Sequence, residues 1–239
     1  MLSLTYDLHI HSCLSPCGDS DMTPANIAGM AAVKGLDVIA LTDHNSCRNC
    51  AAAMAAGREY GVTVIPGMEL TTQEEVHVVC LFPELKAALE FDAMVYARLQ
   101  RIENKPEIFG EQLLYNEQDT IIGREPYLLI NATDITFDEV SDRTAEYGGI
   151  MIPAHIDKNA NSLIANLGFI PPDSRFTCAE LKNMSNLHRL RREHPYLNGC
   201  KIITNSDAHY LEQINEPIHT LYAEECSIRS VLDALRTGG

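Results

Sequence analysis

The run Leu4-Thr-Tyr-Asp7-Leu-His9-Ile-His11-Ser12 opens the chain as a short apolar strand ending in two histidines. His9 and His11 stand two apart, so on a strand they point to the same side and can hold one ion between them. Later runs end in a similar way. Strand-like stretches close with Leu41-Thr-Asp43-His44-Asn45, Pro66-Gly-Met-Glu69-Leu, Pro153-Ala-His155 and Asn205-Ser-Asp207-Ala-His209, the last again with i, i+2 spacing. His77 lies on a run at 76–82. Metal-type side chains thus gather at C-terminal strand ends, where barrel enzymes build their sites. Each signal alone is weak: a single His-x-His is more often chance, and a single histidine on an apolar strand is more often a satisfied core residue. The recurrence is what counts, since six of the nine histidines fall at or beside strands. His188, His194 and His219 read as surface residues. Histidines mixed with Asp and Glu suit Zn, Mn or Fe rather than a thiolate site. The carboxylates can also bridge ions about 4 Å apart, which imidazoles cannot.

Working outward, strands alternate with helices. Thr23-Pro24 opens a helix to about Lys34, with Thr as N-cap and Pro in the first position, and Gly35 ends it. Strands follow at Asp37–Leu41, Val62–Pro66 and Val76–Phe82, with an alanine-rich helix from about Arg48 to Tyr60. Residues 84–105 carry helical spacing, a short helix is expected near Phe109–Tyr115, and Phe137–Tyr147 is helical. Ile150–Pro153, Phe176–Leu181, Lys201–Asn205 and Ile218–Tyr222 read as strands, and Asn186–Glu193 and Ser227–Arg236 as helices. Such alternation indicates an α/β fold on a parallel sheet, open or closed.

The 239 residues suit one α/β barrel or two small domains. No apolar run reaches the roughly 18 residues of a membrane span. The N-terminus lacks a basic region before its apolar run, so a cytoplasmic protein is expected. The formal charge of −15 disfavours a long nucleic-acid track, because that affinity rests on Lys and Arg neutralising phosphates. Three bound dications would return about six positive charges where they matter. Eight cysteines are present, but length and context argue against a disulfide scaffold. Cys80, Cys178, Cys200 and Cys226 read as small buried hydrophobes.

Taken in order, D-L-H-I-H-S at 7–12, D-S-D-M-T-P at 19–24, A-L-T-D-H-N at 40–45, G-M-E-L at 67–70, V-H-V at 76–78, P-A-H at 153–155 and S-D-A-H at 206–209 resemble the PHP domain, the polymerase and histidinol phosphatase superfamily. The resemblance spans nearly the whole chain. It implies a single domain over 1–239, a distorted TIM-like (β/α)7 barrel with its metal site at the C-terminal ends of the strands. Residues at about 83–148 would add a helical or irregular wall or cap over the substrate. It also implies a trinuclear centre of two to three Zn, Mn or Fe ions. His9, His11, Glu69 and Asp207 would hold the first. Glu69 would bridge to a second on His77 and His155, and the third would take Asp19, His44 and His209. The family pattern there is Asp-Gly with a Pro five residues after the Asp. Ser20 replaces the Gly, so Asp21 is the alternative.

The implied activity is that of a metal-dependent phosphoric ester hydrolase, in which a metal-bound water attacks phosphorus. Asp7 and Asp43 are expected to orient ligand histidines, and Arg48 and Lys158 to grip substrate phosphate. Cys13, Cys17, Cys47 and Cys50 flank two ligand loops and could converge on a second metal or a redox site; Cys17 could instead intrude on the third ion. The substrate is expected to be a small phosphate ester or a nucleotide. A 5′–3′ exonuclease-type phosphodiesterase on short oligonucleotides is the alternative. A metal- or redox-sensing module without catalysis is the alternative of another class.

Overall fold

β1 (Leu2–Ile10) pairs in parallel with β2 (Val38–Leu41), and β2 with β3 (Thr63–Thr71). Every side chain of β2 is buried, as expected for a parallel strand covered on both faces. The structure is a computed structural model that describes residues 1–237. α1 (Pro24–Lys34) and α2 (Cys50–Tyr60) are the crossovers. Thr23 caps α1 by accepting the Asn26 N–H, and Gly35 ends the helix in left-handed backbone.

β4 (His77–Leu81) corrects the expectation of an all-parallel sheet: it runs antiparallel to β3 and to β7 (Ile150–Pro153). Residues 72–76 join β3 to β4 through a turn closed by Thr72 N–H on Val76 O, too short for a crossover helix. The N-terminal end of β4 therefore lies on the rim where its neighbours end. β8 (Cys178–Glu180) pairs in parallel with β9 (Lys201–Ile203). Beyond β7, Ile156 N–H donates to Glu180 O, and beyond β9, Ala208 bridges to Ile10. The order β1-β2-β3-β4-β7-β8-β9 thus curls back on itself as a distorted TIM-like barrel. β10 (Thr220–Ala223) lies outside that ring, antiparallel to β1.

Two apolar layers hold this together. The inner one joins Leu4, Tyr6, Leu8, Val38, Ile65, Val79 and Ile152 to Val231, Leu232 and Leu235 of α8 (Ile228–Arg236). Lys201 Nζ donates to Ala234 O and Thr177 Oγ1 to Leu235 O, so the C-terminal turn of α8 sits where β8 and β9 begin. The outer layer packs Ile39, Leu41, Val64, Val78 and Met151 under the helices. Tyr6 and Leu8 belong to the inner layer and Ile10 to the outer, although a regular strand would put all three on one face; the β1–β2 ladder shifts register between Asp7 and Ile10. That irregularity turns the His9 and His11 side of the strand inward.

Residues 83–148 contain α3 (Leu85–Tyr96), α4 (Pro106–Phe109), β5 (Leu113–Tyr115), β6 (Ile121–Arg124) and α5 (Phe137–Glu146). α3 and α5 bury Phe91, Val95, Phe137 and Val140 in the outer layer. The expected helix near Phe109–Tyr115 is one turn, α4, followed by a hairpin, because Leu113–Tyr115 finds an antiparallel partner in β6. The helix expected across 84–105 stops at Tyr96, since Leu99 and Glu103 bridge instead to Thr133 and Tyr127. Two short helices, α6 (Leu163–Leu167) and α7 (Leu187–Glu193), complete the set. Cys226 is exposed rather than buried, while Cys80, Cys178 and Cys200 are buried as expected. No helix among the described residues is long and apolar enough to cross a membrane.

Candidate metal centre

Glu69, near the end of β3 and 1% exposed, lies among five imidazoles. Its Oε1 is 2.9 Å from His77 Nδ1 and 3.2 Å from both His9 Nε2 and His155 Nε2. Its Oε2 is 3.1 Å from His44 Nδ1 and 3.2 Å from His11 Nε2. Asp207 Oδ1 adds contacts of 3.5 and 3.4 Å to His9 and His11. Three donor groups emerge, each with its ligand atoms within 4.8 Å of one another: His9, His11, Glu69 and Asp207; His44, Glu69 and His77; and His11, His44 and His209. The antiparallel run of β4 is what brings His77 to this rim.

The outward-facing nitrogens decide which atoms face the ions. His9 Nδ1 is 3.0 Å from Glu180 Oε2, and His209 Nδ1 donates to Asp207 O at 2.9 Å. His11 Nδ1 donates to Ser15 Oγ, which donates to Asp43 Oδ1. These partners assign the proton to Nδ1 in all three rings and leave Nε2 as a lone pair toward the centre. His9 Nε2 and His11 Nε2 then face each other at 3.2 Å. Two lone pairs at that distance call for a cation between them. Glu69 Oε2 and His44 Nδ1 are buried without a hydrogen bond, which is costly unless an ion completes them. The donor set of imidazoles and carboxylates fits a divalent metal.

Burial opposes charge on His9 and His11, but Glu180 and Glu69 outweigh it at His9 and raise that ring's pKa, and Asp207 and Glu69 raise that of His11 to about 9; a bound cation would take the place of that positive charge. Burial pushes the Glu69 carboxyl up, but His77, His9 and His44 outweigh it and hold it well below the usual carboxylate range. Burial likewise opposes ionisation of Asp207, and His9 and His11 hold it down. Burial and the neighbouring His11 push His209 down to about 4. Both carboxylates are thus anionic donors and His209 a neutral one.

Glu180, at the end of β8, is the partner that the sequence did not single out. Besides His9 it accepts His155 N–H and Asn205 Nδ2–H. Its signal was positional, the same strand-end placement as the other donors. Asp43 reaches a ligand histidine only through Ser15. Asp7 does not orient an imidazole: it accepts Ser206 N–H and Asn215 N–H and so anchors the loop that carries Asp207. Asp19 joins none of the three groups. Its Oδ1 accepts Asp21 N–H, while Cys17 Sγ lies 3.0 Å from His209 Nε2.

Lys158 Nζ lies 2.7 Å from Asp207 Oδ2. Arg48 turns elsewhere, pairing with buried Glu125 at 2.5 Å and stacking over Tyr96. The four thiols do not converge among the described residues. Cys47 and Cys50 sit in the outer apolar layer against Gly67 O, and Cys17 faces His209. Beside the metal cluster opens a cleft of about 910 Å³, whose wall includes Lys158, Lys182, Asp207, His209, Met184 and Tyr210. Asn45, His155 and Asp207 hold positive φ angles of 46°, 30° and 55° on this rim, a placement of non-glycine residues that clusters at functional sites.

A curated protein of unassigned function from Methanocaldococcus jannaschii is 40% identical over 76 residues, 28% of this chain and 44% of that protein. A 5′-3′ exoribonuclease from Haemophilus influenzae is 33% identical over 93 residues, 36% of this chain and 33% of its own. The chain thus spans less than half the length of these curated relatives. Among solved structures, the lesion-specific endonuclease Q of Pyrococcus furiosus superposes with TM-score 0.67 at 18% identity, over 100% of this chain and 57% of that one. A candidate metal-dependent phosphoesterase from Bifidobacterium adolescentis gives 0.57 at 19% identity, over 96% of each chain. At those identities the likeness is one of fold. The sequence model of the PHP domain matches residues 7–232, nearly the whole chain, and the chain belongs to the PHP domain family.

Proposed function

We propose that the chain hydrolyses phosphate esters of nucleotides or similarly small molecules at a centre of up to three divalent ions. The supporting observation is one buried carboxylate, Glu69, ringed by five imidazoles. His9, His11, Glu69 and Asp207 would hold the first ion. Glu69 would bridge to the second, with His77 and His155, and His44 and His209 would hold the third. Zn, Mn or Fe bound there supplies an acidified water and offsets charge on the phosphoryl oxygens.

The remaining work falls to the chain. Glu180 holds the Nδ1 proton of His9 and keeps that ring aimed inward. Ser15 and Asp43 do the same for His11. Lys158, which pairs with Asp207 at the cleft wall, would take a phosphate oxygen, with Lys182 on the same wall. The cleft volume suits a nucleotide-sized ligand. Residues at about 83–148 would form the substrate wall, part of which Asn45 Nδ2 holds to the rim by donating to Leu129 O and Asn131 O.

A second reading is a phosphodiesterase that trims short oligonucleotides from the 5′ end, favoured by the partial identity to the exoribonuclease. One experiment tests both. Bound Mn, Fe and Zn are quantified, and phosphomonoesters, nucleotides and short oligonucleotides are assayed with His9→Ala as control. Two to three metals per chain, with hydrolysis lost in the variant, is the expected result. The preferred substrate then separates the two readings. A metal-filled but inert chain would favour the sensing module, and a chain that binds no metal would overturn the proposal.

A further inference from the structure

The trio His11, His44 and His209 offers three nitrogens and no carboxylate. The family pattern supplies one from Asp19, but that side chain is turned into its own loop, accepting Asp21 N–H. The residue at the open edge of the trio is Cys17. Its sulfur lies 3.0 Å from His209 Nε2, the nitrogen left free because Nδ1 donates to Asp207 O. His44, 3% exposed, belongs to the same trio, and its Nδ1 is buried without a hydrogen bond, 3.1 Å from Glu69 Oε2.

The loop is built to hold the thiol there. Ser15 N–H donates to Ser12 O, Gly18 N–H to Ser15 O, and Asp19 N–H to His209 O. Asp43 ties down Ser12 and Ser15. A Cβ on Gly18 would meet Ser12 O at 2.3 Å, so only glycine lets the chain turn this tightly after Cys17. Cys17 itself is an exposed residue, so its proton can leave to solvent when an ion binds.

We propose that Cys17 is a ligand of the ion that His44 and His209 would hold, beside His11, in the place the family pattern gives to Asp19. The inference rests on the metal-centre reading above. A thiolate is softer than a carboxylate, so it biases this position toward Zn or Fe and away from Mn.

The test is spectroscopic and needs no turnover. The full chain, stripped by chelation, is titrated with Co(II) and followed for sulfur-to-cobalt charge-transfer absorption in the near ultraviolet. Wild type is expected to develop that band as its last equivalent binds. Cys17→Ser is expected to lose the band and to weaken that equivalent about 10-fold or more, while keeping the earlier equivalents, which also shows that it folds. Asp19→Asn is expected to keep both. Cys17→Asp is expected to bind the last ion without the band and to raise the preference for Mn. Cobalt bound without a sulfur band, a band unchanged in Cys17→Ser, or a last equivalent lost in Asp19→Asn would overturn the proposal. Failure of wild type to bind cobalt would overturn the metal centre as well. A sulfur band in a chain that hydrolyses nothing would sustain this ligand and sink the hydrolase.

Discussion

Glu180 accepts three hydrogen bonds from the walls of the centre, including the His9 ring proton. Glu180→Gln keeps the volume and removes the charge. It is expected to lower metal affinity or activity about 10–100-fold, measured by metal titration with the fold checked by circular dichroism. The two basic residues picked out from the sequence part company. Lys158→Ala is expected to lower kcat/KM about 10-fold or more, since a charged hydrogen bond contributes about 1.5–3 kcal/mol, with metal content unchanged. Arg48→Ala leaves Glu125 buried without its cation. It is expected to cost about 1–3 kcal/mol of stability, read by denaturant unfolding, with little change in KM. Nothing in the sequence separates these two, because each merely follows a ligand motif. Their difference lies in the contacts Glu125 and Asp207 offer, residues far from each of them along the chain.

At the scale of elements, β3 and β4 bring Glu69 and His77 together, and Gly67 sets how closely the strands approach. A Cβ there would meet Leu81 Cδ2 at 2.7 Å and Cys80 O at 2.8 Å. Gly67→Ala is expected to cost about 1–3 kcal/mol and to lower bound metal, measured by unfolding and metal analysis together. α5 carries a capping box between Thr136 and Glu139. The backbone N–H of Thr136 and its hydroxyl, which an alanine would lack, both donate to the Glu139 carboxyl and hold it below its ordinary value. A depressed carboxylate stabilises above its unfolded pKa, and the contribution is lost as pH falls through the lower folded value. Thr136→Ala is therefore expected to destabilise by about 1 kcal/mol near neutrality and by less in acid. The strand-end donors that gather around Glu69 were legible in the sequence because they recur on a periodic background. The antiparallel sense of β4 and the β5–β6 hairpin were not. Direction depends on which neighbour a strand finds, and a three-residue strand such as Leu113–Tyr115 carries too little pattern to distinguish it from a helical turn.

For the whole molecule, the buried donors around Glu69 make the fold and its ions interdependent. Ions that bind only the folded chain stabilise it by about 4 kcal/mol at a thousandfold excess over Kd. At about 2–4 °C per kcal/mol for a chain of this size, chelation is expected to lower the thermal midpoint by roughly 8–16 °C. A midpoint indifferent to chelator and to added Zn or Mn would contradict that dependence. The three left-handed residues on the rim, Asn45, His155 and Asp207, limit how the scaffold can improve. The simplest way to relieve a left-handed position is glycine. Here it would remove, in turn, the clasp on residues 129–131, a ring against Glu69 and the carboxylate on Lys158. Lineages selected for toughness must find it elsewhere, in helix caps and surface charge, and the rim is where durability and chemistry compete.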